Sequence, residues 1–470
     1  MTPLATPAAT LVPPGEAASA AKARATLVAA LLGFFVITLD AVVVNVALPT
    51  IGHELGAGMT GLQWVVDGYT LVFAALLLSA GGLSDRIGAR RAFGSGLLTF
   101  VLASIACGLA PNLSTLVAAR FVQGAGAAVM MPSSMALVRQ AYDDAVKRGH
   151  AVAMWAMGGS VAATSGPVVG GLLTQLSWRW IFFINLPIAL ATLAFLARTP
   201  PSPRRAASFD AWGQVTAVLA MGALTFGAIE IGVAGVGAPL VLASLAMFVA
   251  AMVGFIALQR HGPHPLIPPS LLAPPNARIA MAVGFTFMVG YFGLPFVMSL
   301  YLQQQRGMSP VATGTIFLPM MLVGLVLTPF SAHLMQRFSA RVLIVTGLAS
   351  MVMGLAGIAL LPATAPAWLI AVLMMLVGLG GPAVAPPITA VLLSSVPATL
   401  AGTAGGVFNT SRQIGGALAV AVFGALLAQS AHFMTGLRIS LFLAAGICLA
   451  TALLAVQLRA NAHKSAAVAE

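Results

Sequence analysis

Residues 27–49 read LVAALLGFFVITLDAVVVNVALP, an apolar run whose single charge is Asp40. Coiled as a helix, about 20 such residues cross the ~30 Å of hydrocarbon in a bilayer. Runs of this kind continue along the chain at 63–83, 92–111, 113–137, 150–174, 181–199, 211–233, 239–259, 278–302, 310–332, 341–361, 366–390, 401–428 and 437–459. That makes about fourteen transmembrane helices, the pair at 211–259 being the least sharply divided. The composition agrees: 60% of residues are hydrophobic and 7% charged, with a mean hydropathy of +1.01. A soluble domain carries about 25% charged residues. The expected fold is an all-α membrane bundle whose 49 glycines let helix backbones approach closely.

A net charge of +12 in a soluble chain would point to nucleic acid. Here the basic residues punctuate apolar runs, so topology is the better account and no nucleic-acid partner is expected. With the N-terminus inside, the inner loops and flanks hold Lys22, Arg24, Arg86, Arg90, Arg91, Arg139, Lys147, Arg148, Arg198, Arg204, Arg205, Arg260, Arg278, Arg337, Arg341, Arg412, Arg459 and Lys464. The outer loops hold Arg179, Arg306 and Arg438, and Arg120 falls within a helix. This bias requires an even number of spans, with both termini cytoplasmic in a multi-pass protein of a bacterial-type inner membrane.

Residues 83–90 (LSDRIGAR) line up with 334–341 (LMQRFSAR), each in the inner loop after the second helix of a six-helix set. The chain accordingly divides into a flexible cytoplasmic tail (1–26), a six-helix bundle (27–199), two inserted helices (200–259), a linker with six prolines (260–277), a second six-helix bundle (278–459) and a closing tail (460–470). Repeated halves about a midplane site are a common transporter plan. The tail 1–26 lacks the charged start and short apolar centre of a cleaved signal peptide.

Several chemistries are excluded. None of the three lysines, Lys22, Lys147 and Lys464, sits in a phosphate-binding loop. The seven histidines form no metal cluster, no nucleophile elbow or hydrolytic triad is evident, and Cys107 and Cys448 lie singly in apolar runs. No enzyme activity, cofactor or metal is expected, and an ion gradient is the expected energy source. The partners are then the lipid bilayer, a small organic substrate and protons.

The motifs narrow this further. Residues 82–91 (GLSDRIGARR) resemble the signature loop between helices 2 and 3 of the major facilitator superfamily. Gly82 and Gly88 permit a tight turn, Asp85 can accept hydrogen bonds, and Arg86, Arg90 and Arg91 are basic. The resemblance implies an inside-gate latch between the two halves; the alternative is that the arginines are only topology signals. In the second repeat Gln336 replaces Asp85, so a second latch should be weaker.

Residues 39–49 (LDAVVVNVALP), 62–71 (LQWVVDGYTL), 119–126 (ARFVQGAG), 166–171 (GPVVGG), 178–187 (WRWIFFINLP) and 409–416 (NTSRQIGG) are similar to motifs of the fourteen-span drug:proton antiporters, the EmrB/QacA type. The resemblance runs from about residue 28 to 455 and rests on all six matches falling in order on the right helices. It implies two six-helix bundles with two inserted helices, and efflux by alternating access. Gly166, Pro167, Gly170 and Gly171 form the antiporter motif, expected to bend helix 5 and let it pack closely; a tolerated proline kink is the alternative.

A charge deep in a span costs at least about 2.5–3.5 kcal/mol. Asp40 and Arg120 each fall about 12–14 Å below the outer boundary by helical rise, on helices that the family fold places beside the central cavity. We expect Asp40 to bind the transported proton and Arg120 to tune it; the alternative is a permanent structural ion pair. Asn45, Asp67, Gln123, Glu230, Asn409, Arg412 and Gln413 are candidate substrate-cavity residues. Helix–helix bonding is the main alternative for the amides, capping of helix 2 for Asp67, and snorkelling to the interface for Glu230.

The expected function is proton-coupled efflux of amphipathic or cationic organic compounds. Proton-coupled uptake of a specific metabolite and a non-transporting scaffold or receptor are the rivals. Exporters of this kind can work with a periplasmic adaptor protein, which nothing in the sequence identifies.

Overall fold

The computed structural model describes residues 14–204, 210–262 and 265–459. The expected tails at 1–13 and 460–470, with Arg205 and Lys464, lie outside the described residues. Fourteen helices are long and apolar enough to cross a membrane. They are α1 (Ala20–Leu55), α2 (Met59–Ile87), α3 (Ala89–Gly108), α4 (Leu113–Ala141), α5 (Ala145–Leu176), α6 (Trp180–Ala197), α7 (Ala211–Ala234), α8 (Pro239–His261), α9 (Pro275–Gln305), α10 (Pro310–Arg337), α11 (Ala340–Leu360), α12 (Ala367–Ser395), α13 (Ala401–Gln429) and α14 (Phe433–Ala455). No strand occurs among the described residues.

The helix starts follow local chemistry. Asn112 and Asp144 accept from the backbone N–H of Thr115 (2.9 Å) and Lys147 (2.8 Å), and Asp210 accepts from Gly213 (2.8 Å). Ser309 and Ser339 cap α10 and α11 in the same way. Each cap satisfies a donor that the helix itself leaves open. One boundary differs from expectation. The helix that becomes α1 begins at Pro14, so residues 14–26 continue it and are not an irregular tail. That stretch is rich in alanine, the best helix former, and proline is well suited to a first helical position. The region 211–259 resolves into two separate spans, α7 and α8.

Helices α1–α6 pack on one another, as do α9–α14. The two groups meet along a seam where α2 lies on α13, α5 on α10 and α1 on α9. α7 leans on both α2 and α13, and α8 packs chiefly on α7 with most of its surface turned outward.

The glycines make the seam tight. A Cβ on Gly314 of α10 would lie 2.2 Å from the Pro167 carbonyl oxygen of α5, and one on Gly171 would lie 2.7 Å from the Pro310 oxygen. Gln63 donates across the seam to the Ala421 carbonyl (2.6 Å), and Gln303 to that of Val46 (2.8 Å). Thr164 reaches Met321 at 3.3 Å. Among the described residues, every side-chain hydrogen bond between α1–α6 and α9–α14 lies from mid-span toward the 56–58 and 306–309 loops. In the half that ends at the 82–91 loop, none of these side-chain hydrogen bonds among the described residues crosses.

Candidate functional site

The site begins with a glycine. A Cβ at Gly124 would lie 2.4 Å from the Tyr69 carbonyl oxygen, so only a glycine lets α4 lie this close to α2. One turn earlier on α4, Arg120 reaches back along α2 and donates from Nε to the Val65 carbonyl at 2.9 Å. Its guanidinium stacks over the Tyr69 ring at 4.4 Å and meets Asp40 of α1 in an ion pair of 2.5 Å. Both partners are buried, Asp40 at 0% and Arg120 at 1% exposure.

Both carboxylate oxygens are engaged. Gln123 donates to its Oδ1 at 2.8 Å and Asn185 of α6 does so at 2.9 Å, while Arg120 holds Oδ2. Ser104 of α3 accepts from both Asn185 (2.9 Å) and Gln123 (3.3 Å) and donates to the Phe182 carbonyl (2.9 Å). Gln123 Oε1 also accepts from Arg120 at 2.8 Å. The result is a closed polar network on α1, α3, α4 and α6, all within one bundle. Paired and hydrogen-bonded charge of this kind is strongly coupled in a dry interior. Asp40 and Arg120 are thus brought together, with Gln123 between them, but in this conformation Asp40 touches a fixed partner set and does not open on a chamber.

Ser104 and Asn185 were not among the expected site residues. The signal was a polar side chain inside an apolar run, and for Asn185 the WRWIFFINLP motif itself. Asn45, one turn along α1, donates weakly to carbonyls of its own helix, and its Oδ1 has no donor among the described residues.

Asp67 departs from its expected place. α2 opens at Met59 with Gly58 before it, so Asp67 sits in the third turn and caps nothing. It is wholly buried, and neither carboxylate oxygen has a hydrogen-bond partner among the described residues. Arg412 also moves. Counted above with the inner loop flanks although it falls within the apolar run at 401–428, it lies well inside α13, which starts at Ala401, and is half-buried. Its guanidinium contacts Asn409 Oδ1 (3.4 Å) and Met288 Sδ (3.7 Å) between the Phe287 and Phe408 rings, and Nε has no partner among the described residues. Gln413 is half-buried beside it, and Glu230 is partly exposed near the end of α7.

The antiporter motif lines the seam. Gly166 and Gly170 face Val42 and Val43 of α1, Gly171 faces Pro310 and Val311 of α10, and Pro167 receives Gly314. The loop 82–91 lies at the end of the seam that no side-chain hydrogen bond crosses among the described residues. Gly88 has φ +92°, a conformation suited to glycine. Arg90 donates to the Ala197 carbonyl (3.2 Å), and its backbone N–H donates to Ser202 (3.1 Å). Asp85, Arg86 and Arg91 are exposed, and Gly82 is partly so. Among the described residues the ion pairs are Asp40–Arg120 and Glu54–Arg179, so Asp85 is in none and no ionic latch is fastened in this conformation. No group of three or more potential metal-binding side chains occurs among the described residues.

Known proteins agree with this architecture. The chain is 38% identical over 409 residues to the multidrug resistance protein Stp of Mycobacterium tuberculosis, covering 86% of this chain and 75% of that one. It is 35% identical over 450 residues to the methylenomycin A resistance protein of Bacillus subtilis, covering 94% and 96%. Among solved structures, a D-xylose–proton symporter superposes with a TM-score of 0.67 over 93% of this chain and 98% of that one, at 15% identity, a likeness of fold alone. The sequence profile of the Major Facilitator Superfamily matches residues 30–420. The helices, their paired halves and these matches together make the chain a member of the Major Facilitator Superfamily.

Proposed function

We propose that the protein exports amphipathic organic compounds, antibiotics among them, in exchange for protons moving inward by alternating access. The observation that carries this is the likeness, over most of the chain, to proteins named for multidrug or antibiotic resistance and export. The fold supplies the moving parts: two helix groups meet along a glycine-lined seam that is shut at one end. We assign the 82–91 end to the cytoplasm on the distribution of basic residues, which makes this conformation inward-facing.

Buried charge supports ion coupling, since a scaffold has no need of it. Asp40 is the proposed proton acceptor and Arg120 its tuner, the carboxylate alternating between the guanidinium and a proton. One observation favours the alternative, a permanent structural pair: all of Asp40's donors belong to its own bundle and would move with it as a body. Asp40→Asn separates the two. Loss of gradient-driven transport with normal folding supports coupling, and unchanged transport leaves the pair structural.

The cargo's chemistry is constrained by composition. Residues 231–469 contain no Asp or Glu, so among the spans and their loops any carboxylate partner for a cationic compound must come from the first half or from Asp210 or Glu230 of the inserted pair. Arg412, set among Phe287, Phe408 and Met288, gives the second half a cation and an aromatic wall. Expression in a drug-sensitive bacterial host, scored against a compound panel, tests the reading. Raised tolerance and accumulation in everted vesicles, both abolished when the pH gradient is collapsed, is the expected result. Accumulation in right-side-out vesicles instead would make the protein an uptake carrier.

A further inference from the structure

Asp67 carries a charge problem that nothing around it solves. It lies in the third turn of α2 with 0% exposure, and neither oxygen meets a donor among the described residues. An ionised carboxylate buried without a partner is so costly that the group takes a proton instead. The charged groups on the neighbouring helices are committed elsewhere or distant along the helix. On α4, Arg120 is engaged by Asp40, Gln123 and the Val65 carbonyl; on α1, Asp40 is held by Arg120, Gln123 and Asn185. On α13, Arg412 turns to Met288 and Phe287 of α9. On α7, Glu230 is partly exposed at the far turn, and on α3, Arg90 and Arg91 lie beside the other end of α2. Asp67 belongs to neither ion pair.

Its position gives this proton a route. Residues four apart share a helix face, and Asp67 lies between Gln63 and Leu71. Gln63 donates to the Val420 and Ala421 carbonyls of α13 at 3.3 and 2.6 Å. Leu71 borders a small void shared with Ile414 and Ala417 of α13 and Met221 of α7. The carboxyl is therefore on the seam face of α2, sealed from one end by the Gln63 bonds. Gln63 Oε1 itself has no donor among the described residues. This is the reverse of Asp40, whose partners all travel with it.

We propose that Asp67 is a second proton-binding site of this carrier, protonated while α2 and α13 are in contact and exchanging its proton with water when they part. The proposal rests on the proton-exchange reading and adds to it a site gated by the seam. A proton arriving from water binds one carboxylate oxygen in the open form, is held when the seam shuts, and returns to water when it reopens.

Infrared spectroscopy of the full chain reconstituted in liposomes tests this without knowledge of the cargo. At neutral pH the wild type should show the C=O stretch of a protonated carboxylic acid. That band should vanish in Asp67→Asn and persist in Asp40→Asn. Asparagine matches the neutral acid in shape, so the melting temperature of Asp67→Asn should stay within a few degrees of wild type. In wild type the band should be lost as pH rises. A disulfide between Gln63→Cys and Gly424→Cys, whose parent residues touch across the seam, should slow that loss at least tenfold, and reduction should restore it. A band absent from wild type, retained in Asp67→Asn, or titrating at the same rate in the cross-linked protein would overturn the proposal. Failure of the exchange reading shows separately, as wild-type vesicles that accumulate no panel compound under a pH gradient while the band and its cross-link response remain.

Discussion

Asp40 accepts three hydrogen bonds from three side chains, and that count governs what substitutions should do. Removing one partner of a buried ion pair strands the other, at a cost of about 3–5 kcal/mol. Arg120→Ala and Asp40→Ala should each lower stability by that amount, read from denaturation in detergent. The double substitution should cost less than the sum, with a coupling of about 2–3 kcal/mol; strict additivity would mean that the residues are not one unit. Asn185→Ala removes a single bond to the charged group and should cost about 1.5–3 kcal/mol. Its effect should largely disappear in an Asp40→Asn background, where the acceptor is no longer charged.

Between helices the controlling feature is backbone approach. Gly314 meets the Pro167 carbonyl with no room for a methyl group, whereas Gly446 on α14 has nothing within 4 Å of where a Cβ would go. Gly314→Ala should therefore destabilise by about 1–3 kcal/mol through overpacking. Gly446→Ala should be neutral or stabilising by up to about 1 kcal/mol, since alanine is the better helix former. Gly314→Ala should also part α5 from α10, making a cysteine at Val311 react faster with a thiol reagent than in the parent. Equal behaviour of the two alanine variants would mean that the seam is looser than these contacts require.

Across the molecule, α7 ties the halves together. At one end Gln214 donates to the Ala75 carbonyl of α2 at 2.7 Å and accepts from Ser79. At the other, Gln429 of α13 donates to the Ile231 carbonyl at 2.5 Å, and Gly232 lies against Ala425. A helix fastened to one bundle near one membrane face and to the other bundle near the opposite face must tilt or slip when the bundles rock. Topology itself is testable. Thr364→Cys in the α11–α12 loop should react with a membrane-impermeant maleimide in intact cells, and Pro201→Cys after the α6 end only once the membrane is opened. The reverse pattern would invert the assignment of cytoplasmic termini.

The number of spans, their division into two sets and the two added helices follow from the chain's residue order. Apolar length and the positions of arginine act locally and need no partner to be read. The pairing of Asp40 with Arg120 was readable as well, because two charges at equal depth in hydrocarbon must answer one another. What the linear order could not assign was the direction each polar group faces. Ser104 and Asn185 join Asp40 because α3 and α6 pack behind it, Asp67 is left without a donor where α13 sets Ala417, Val420 and Ala421 beside its helix neighbours Leu71 and Gln63, and Arg412 turns to Met288 and the Phe287 and Phe408 rings, well inside α13. Those outcomes depend on helix rotation and on which helices touch, and both are set by packing between residues far apart in the chain.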